Sequence, residues 1–353
     1  MTTFMDEVAA AAIELARGAR WDRALALLDA AAAEAGTARL SAEGDAGAGR
    51  PSQAGAAGAG DTERARPSEA GDAPAGAAGA GDGRVRGRLA LAAAAVAVDR
   101  DWWAGTDTAA ERLEKAERAG AGGWQLDFLR LRRDYLRLIH PVGGTFQPGP
   151  WGKDPEVIAD VERRAGQLRR TASGTADAGW AEMYLGLVAD NLRADREAAP
   201  GHYEAALAAA DRDDLLAREA LRHLGDHDHD NGDRASALER WQRATALGAG
   251  AGYVTGTLSQ QLLLAVLARD AGDEAAATAL ASEVARWAEA LGAAHVRDNA
   301  NGFLSGADPT AAPEEAAGET AAAVREGAAV PRSAAAPEGA REERPVPGGG
   351  PVR

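Results

Sequence analysis

Residues 221–247 read LRHLGDHDHDNGDRASALERWQRATAL and predict two antiparallel helices joined by a tight turn. The pair Leu224-Gly225 lies near the middle of the first helix, and Gly232-Asp233 supplies the turn. Small residues let two helices approach closely, and a large residue fills the gap beside them. The second helix places its small and large residues on one face, at spacings of four and three: Ala237, Trp241 and Ala244.

This pattern resembles the tetratricopeptide repeat, in which a large residue, Leu-Gly, a turn glycine and an Ala-aromatic-Ala series recur at set offsets. Asp228 departs from it, since an aromatic residue is usual at that position. The resemblance implies an all-α fold, a right-handed α-solenoid of about six antiparallel helix pairs with an extended concave surface. The residues that match the repeat are Leu221, Leu224, Gly225, Gly232, Ala237, Trp241 and Ala244.

Similar pairs are predicted along the chain, and the resemblance is good over about 180–290 and weaker over 4–35 and 85–170. Gly272-Asp273 lies 40 residues after Gly232-Asp233. The predicted pairs are 4–17 with 21–35, 85–100 with 108–119, 122–139 with 154–170, 177–193 with 197–210, and 255–270 with 273–290. Three helix starts carry capping residues, which are Thr108 with Glu111, Asp154 before Pro155, and Thr257 with Gln260.

The domain organisation follows from changes in composition. Residues 1–35 are predicted to be the first helical pair, and 85–292 the main helical repeat domain. Residues 36–84 form an Ala/Gly/Pro-rich insertion, and 293–353 a tail rich in Ala, Pro, Glu and Gly. Such segments bury too little apolar surface to offset the entropy of ordering, so both are predicted to be disordered.

Charge and composition exclude several classes of protein. The formal charge of −15 and the pI of about 4.9 disfavour nucleic-acid binding and docking on an anionic membrane. The absence of cysteine excludes disulfides and thiol chemistry. No apolar run reaches the roughly 20 residues needed to span a bilayer, and we expect a cytoplasmic protein. Abundant Ala, Gly and Arg are typical of a GC-rich bacterial genome, with an actinobacterial-like composition.

The resemblance implies that the first helix of each pair lines a concave groove. A mixture of apolar and acidic residues there suits a protein or peptide partner with basic character. The alternative is that part of this stripe only contacts neighbouring helices. By repeat position the partner-binding candidates are Trp180, Met183, Leu187, Asp190, Asn191, Glu219, Arg222, Asp226, His229, Asp230, Leu262, Val266, Arg269 and Asp270.

A second hypothesis is a small-molecule or metal-binding sensor that uses the loop 140–153 or the cluster from His223 to His229. His223 and His227 lie one helical turn apart, so both could reach one metal, but a tight site needs further ligands. A hydrolase with an unrecognised site is the third. The sequence therefore favours a non-enzymatic scaffold, without predicted catalytic residues, metal or cofactor.

Overall fold

The thirteen helices of the computed structural model occupy most of the residues it describes, 2–47, 76–141 and 146–310, and these ranges contain no strand. The all-α prediction is confirmed. The described residues fall in one compact unit. The helices are α1 Thr2–Arg17, α2 Trp21–Gly47, α3 Gly76–Ala104, α4 Ala109–Arg118, α5 Trp124–Ile139, α6 Pro155–Thr171, α7 Thr175–Asn191, α8 Ala199–Ala209, α9 Asp214–Asp230, α10 Arg234–Gly250, α11 Val254–Asp270, α12 Glu274–Leu291 and α13 Ala294–Leu304.

The stretch 221–247 forms the hairpin of α9 and α10. Gly232 has a φ of 81°, which favours glycine, and the Asp233 carboxylate accepts a hydrogen bond of 3.1 Å from the backbone N–H of Ser236. Trp241 is fully buried against Gly225. A side-chain carbon at Gly225 would lie 2.5 Å from the indole ring, so only glycine allows this close approach.

Two of the three predicted caps are wrong. The Thr108 side chain does not cap α4; instead the Asp101 carboxylate of α3 accepts hydrogen bonds from the backbone N–H groups of Thr108 (2.9 Å) and Ala109 (2.8 Å). Helix α11 begins at Val254, so Thr257 and Gln260 lie inside it. The Asp154 cap is confirmed, because its carboxylate accepts from the backbone N–H of Glu156 at 2.8 Å.

The helices also extend beyond the predicted boundaries. Helix α2 continues to Gly47 and α3 begins at Gly76, inside the predicted insertion, whose remaining residues 48–75 lie outside the described residues. The predicted start of the tail at 293 is wrong, because α13 buries Val296 and Phe303. A helix this short is stabilised by packing rather than by its own sequence pattern. Residues 311–353 lie outside the described residues.

The odd-numbered helices contact one another in order from α3 to α9. Arg132 of α5 donates from Nη2 to Asp99 of α3 at 2.7 Å and from Nε to the hydroxyl of Tyr184 of α7 at 3.2 Å. Asp190 of α7 lies 3.1 Å from Nε2 of His227 of α9. Polar contacts between side chains therefore link four successive odd-numbered helices.

The same series continues from α9 to α13. Nε2 of His229 of α9 lies 2.7 Å from an oxygen of Asp270 at the end of α11. Arg269 of α11 donates to the carbonyl of Phe303 of α13 at 2.9 Å and stacks over its ring at 3.6 Å.

Helix α13 then returns to α3. The rings of Trp102 and His295 lie 4.2 Å apart between centroids, and Trp103 donates from Nε1 to the hydroxyl of Tyr253 at 2.9 Å. With the His229–Asp270 contact joining α9 to α11, six odd-numbered helices thus form a closed circuit of contacts. Of the helices in the described residues, none is long and apolar enough to cross a membrane.

We predict opposite effects for the same substitution at two helical glycines. Gly225→Ala should lower the free energy of unfolding by about 1–3 kcal/mol, because its new carbon overlaps the ring of Trp241. Gly201→Ala in α8 should raise it by about 0.5–1 kcal/mol, since no atom lies within 4 Å and alanine favours the helix. Denaturant unfolding measures both, and an unchanged stability of Gly225→Ala would contradict the packing described.

Candidate binding surface

A group of charged and phenolic side chains meets where α3, α5, α7, α9 and the start of α11 come together. We call it the central cluster. The Asp99, Arg132, Glu219 and Arg222 side chains remain between 23 % and 25 % exposed although helices surround them. The cluster consists of Asp99, Arg132, Tyr184, Glu219, Arg222 and Tyr253.

Electrostatic effects show that these groups act on one another. Burial by itself would lower the pKa of Arg132, but the neighbouring Tyr184, Asp99 and Tyr253 outweigh it and raise that pKa. Burial raises the pKa of Tyr184 and of Tyr253, and the negative charges of Asp99 and Glu219 raise both further. Both phenols therefore stay protonated at neutral pH and can donate hydrogen bonds.

Arg222 is linked to the cluster electrostatically through Glu219. Its guanidinium contacts the Asp226 carboxylate at 3.3 Å and the ring of His223 at 3.2 Å. Burial opposes the charge of Arg222, yet Asp226 and Glu219 raise its pKa overall. Burial and the adjacent arginine lower the pKa of His223 well below its usual range, so its imidazole is neutral.

A second polar group is buried between α7, α8 and α9. Asp190 accepts a hydrogen bond from the hydroxyl of Tyr203 at 3.1 Å, lies 3.1 Å from Nε2 of His227, and pairs with Arg196 at 3.1 Å. Asp190 is only 4 % exposed. These contacts hold three helices in register and leave little of the carboxylate for a partner.

The predicted partner-binding residues separate into two sets. The exposed or half-buried members are Trp180, Leu187, Asn191, Glu219, Arg222, Asp226, His229, Asp230, Arg269 and Asp270, whereas Met183, Asp190, Leu262 and Val266 are buried. Met183, Leu262 and Val266 belong to apolar clusters, so part of the predicted stripe contacts only neighbouring helices.

Several exposed members of the stripe also have partners within the chain. Trp180 donates from Nε1 to Asp213 at 2.7 Å, and Asn191 donates to the hydroxyl of Tyr135 at 2.9 Å. Asp230 pairs with Arg196. Arg269 forms a two-point ion pair with Glu274 at 2.8 and 2.9 Å. The structure brings two groups of predicted residues together: Glu219, Arg222 and Asp226 on α9, and His229 with Asp270 at 2.7 Å.

The three histidines of the second hypothesis have different partners. The His223 ring stacks on Tyr203 with centroids 5.0 Å apart, while His227 contacts Asp190 and His229 contacts Asp270. Among the described residues no group of three or more His, Asp or Glu side chains is arranged to hold a metal ion. This geometry does not support the metal-sensor hypothesis.

The loop 140–153, which the sensor hypothesis proposes as a small-molecule site, adjoins a small cavity. Trp102, Arg133 and His140 are among the residues that line it, and its volume is about 10 Å³. That is room for a single water molecule rather than for an organic ligand.

The sequence interpretation missed Asp99, Arg132, Tyr184 and Tyr253 as site residues. Asp99 and Arg132 lie where the resemblance to the repeat is weak, in the range 85–170. The one nearby signal in the sequence is the pair Trp102-Trp103, which follows Asp99 closely.

We predict that His295 makes stability depend on pH. Burial lowers its pKa from 6.5 to about 3, so the unfolded chain binds the proton first as the pH falls below 6.5. Its contribution is complete above that value and is lost as the pH falls towards 3. Between about pH 7 and pH 5 the loss should be about 2 kcal/mol.

The measurement is the free energy of unfolding against pH for the parent and for His295→Phe, which keeps a ring against Trp102. Between pH 7 and pH 5 the free energy of unfolding of His295→Phe should fall by about 2 kcal/mol less than that of the parent. His202→Gln is the control, because His202 is more exposed and pairs with Glu182. Equal slopes for parent and His295→Phe would contradict the prediction.

Comparisons with known protein families, curated proteins and solved structures find no match to this chain. The geometry and chemistry of the described residues therefore carry any functional proposal.

Proposed function

We propose that this chain is a non-enzymatic scaffold, a right-handed α-solenoid similar to tetratricopeptide repeats, that binds a protein or peptide partner in its concave groove. The central cluster is the proposed contact region. The observation that carries the proposal is that charged side chains from α3, α5 and α9 converge there and stay about a quarter exposed.

The side chains of the cluster have fixed orientations before a partner arrives. Asp99 and Tyr184 hold Arg132 from two sides, and Glu219 pairs with Arg218. Arg218 is itself anchored to the carbonyl of Gly256 at 2.8 Å. Groups ordered in advance lose little conformational entropy on binding, which favours affinity.

The chemistry of the cluster suits a peptide main chain. Asp99 and Glu219 offer acceptors for N–H groups, whereas Arg132, Arg222 and the phenol of Tyr184 offer donors for carbonyls. An arginine holds each carboxylate in place, so the donors and acceptors of the cluster have fixed positions that a partner's hydrogen-bonding groups must match. The same pairing supports the non-enzymatic assignment, because the charges are committed to holding one another.

Charge favours a basic partner. The formal charge of the chain is −15, and such a field attracts cations and speeds their association. Near the cluster Asp226, Asp228 and Asp230 of α9 each pair with an arginine, so the preference for a basic partner rests on the net charge of the chain. The negative end of the α9 dipole adds to the field of that net charge. The proposed partner therefore carries Lys or Arg near its contact segment, and its association should slow as salt increases.

We predict that random linear peptides displayed on phage and selected against the intact chain will include sequences that depend on the central cluster. Affinities are measured by fluorescence anisotropy for the parent, Arg132→Gln and Glu219→Gln. Each variant should weaken binding by at least about tenfold, or about 1.4 kcal/mol, since it removes a fixed donor or acceptor.

Arg163→Gln is the matched control, because Arg163 is 68 % exposed on α6 and should bind as the parent does. Thermal melting of each variant separates loss of binding from loss of fold. Selected peptides that bind folded Arg132→Gln and Glu219→Gln as tightly as the parent would refute the cluster as the contact region.

A further inference from the structure

Three of the exposed large apolar side chains come from one short segment, residues 146–157, which we call the aromatic loop. Phe146 is 43 % exposed, Trp151 is 45 % exposed and Val157 is 44 % exposed. Single apolar side chains on a surface are ordinary, but a group of them marks an interaction site. The central cluster does not include any of these residues.

The main chain of the aromatic loop is firmly held. The backbone N–H of Gln147 donates to the carbonyl of Ile139, and that of Gly149 donates to the carbonyl of Asn191, both at 2.7 Å. Lys153 donates from Nζ to the carbonyls of Gln147 at 2.7 Å and Gly149 at 2.6 Å. Burial lowers the pKa of Lys153, and its ammonium group is occupied by these two hydrogen bonds within the loop.

The two exposed rings also have fixed positions. The indole of Trp151 lies directly over Gly149, where a side-chain carbon would come within 1.7 Å of the ring. The ring of Phe146 packs edge-on against His295, with centroids 6.0 Å apart. Rigid aromatic side chains provide contact area at a low cost in entropy, and such residues are enriched at the energetic centres of interfaces.

The charges beside these rings are negative. Asp154 and Glu156 are exposed, and within 2–47, 76–141 and 146–310 neither forms an ion pair. The one cation of the loop, Lys153, turns inward to the two carbonyls. The exposed face of the loop thus combines apolar rings with unpaired carboxylates. Charge complementarity selects a partner that carries Lys or Arg, and repulsion disfavours an anionic membrane.

We propose that the aromatic loop is a second docking site, which binds a segment of a partner protein with an aromatic or aliphatic side chain next to Lys or Arg. Trp151 is the proposed anchor against the apolar side chain, and Phe146 and Val157 are the other exposed apolar side chains of the same segment. Glu156 receives the cation, because Asp154 is already engaged in capping α6. The aromatic loop shares no residue with the central cluster, so variants can test the two regions one at a time.

The test is a selection of displayed linear peptides on the full-length chain, with peptides that also bind Trp151→Ser removed. The remaining peptides should be rich in Lys and Arg beside an apolar residue. Because the removal step already selects for dependence on Trp151, the informative variant is Phe146→Ser, which should weaken their binding by at least about tenfold in fluorescence anisotropy. Glu156→Lys should weaken it as well and reduce its dependence on salt.

Trp287→Ser is the matched control, because Trp287 is another tryptophan that is 48 % exposed, on α12, and it should leave affinity unchanged. Glu219→Gln should also leave the affinity for these peptides unchanged, and this result would distinguish the aromatic loop from the central cluster. Melting temperatures confirm that each variant is folded, and Phe146→Ser tests the site independently of the contact between Trp151 and Gly149.

Three results would overturn the proposal. The first is that no peptide remains after the removal step, that the selected peptides lack basic residues, or that they bind folded Phe146→Ser as well as the parent. The second is a dimer of the chain that Trp151→Ser abolishes, which would make a second copy the occupant. The third is binding to phosphatidylcholine vesicles that Trp151→Ser abolishes while no peptide is selected.

Discussion

The close approach of paired helices through a glycine and an aromatic ring is the contact on which the rest of the structure depends. A side-chain carbon at Gly225 would lie 2.5 Å from Trp241, and one at Gly186 would lie 2.5 Å from Tyr203. Each of these two rings also donates a hydrogen bond to a neighbouring polar group. The Trp241 N–H donates to the carbonyl of Arg222 at 3.0 Å, and the Tyr203 hydroxyl donates to Asp190. Packing within the pairs therefore sets the positions of the polar groups beside them.

Burial then decides the charge of those groups. It raises the pKa of Tyr184 and Tyr253 and lowers that of His223 and His295, so phenols and imidazoles are neutral around the charged arginines. Unpaired charge in such surroundings would be costly. A lining of paired charges and neutral donors favours recognition of hydrogen-bonding groups, and this is the physical basis of the proposed scaffold function.

The two proposed contact regions differ in their chemistry. The central cluster offers donors and acceptors in fixed positions and only a small exposed area for each side chain. The aromatic loop offers exposed rings and the free carboxylate of Glu156, and Lys153 fixes its main chain by donating to two carbonyls. A partner with basic and apolar residues fits both. The first region would determine the alignment of a bound main chain, whereas the second would add apolar contact area.

The sequence by itself determined the all-α class and the hairpin at Gly232, because helical periodicity and turn chemistry act over a few residues. It also nominated Glu219, Arg222 and Asp226 by repeat position. Only the tertiary structure decided that Asp190 is buried, that Asp101 caps α4, and that α13 returns to α3 through His295 and Trp102. These outcomes depend on contacts between residues far apart in the chain, and a local pattern carries no information about which distant side chains will meet.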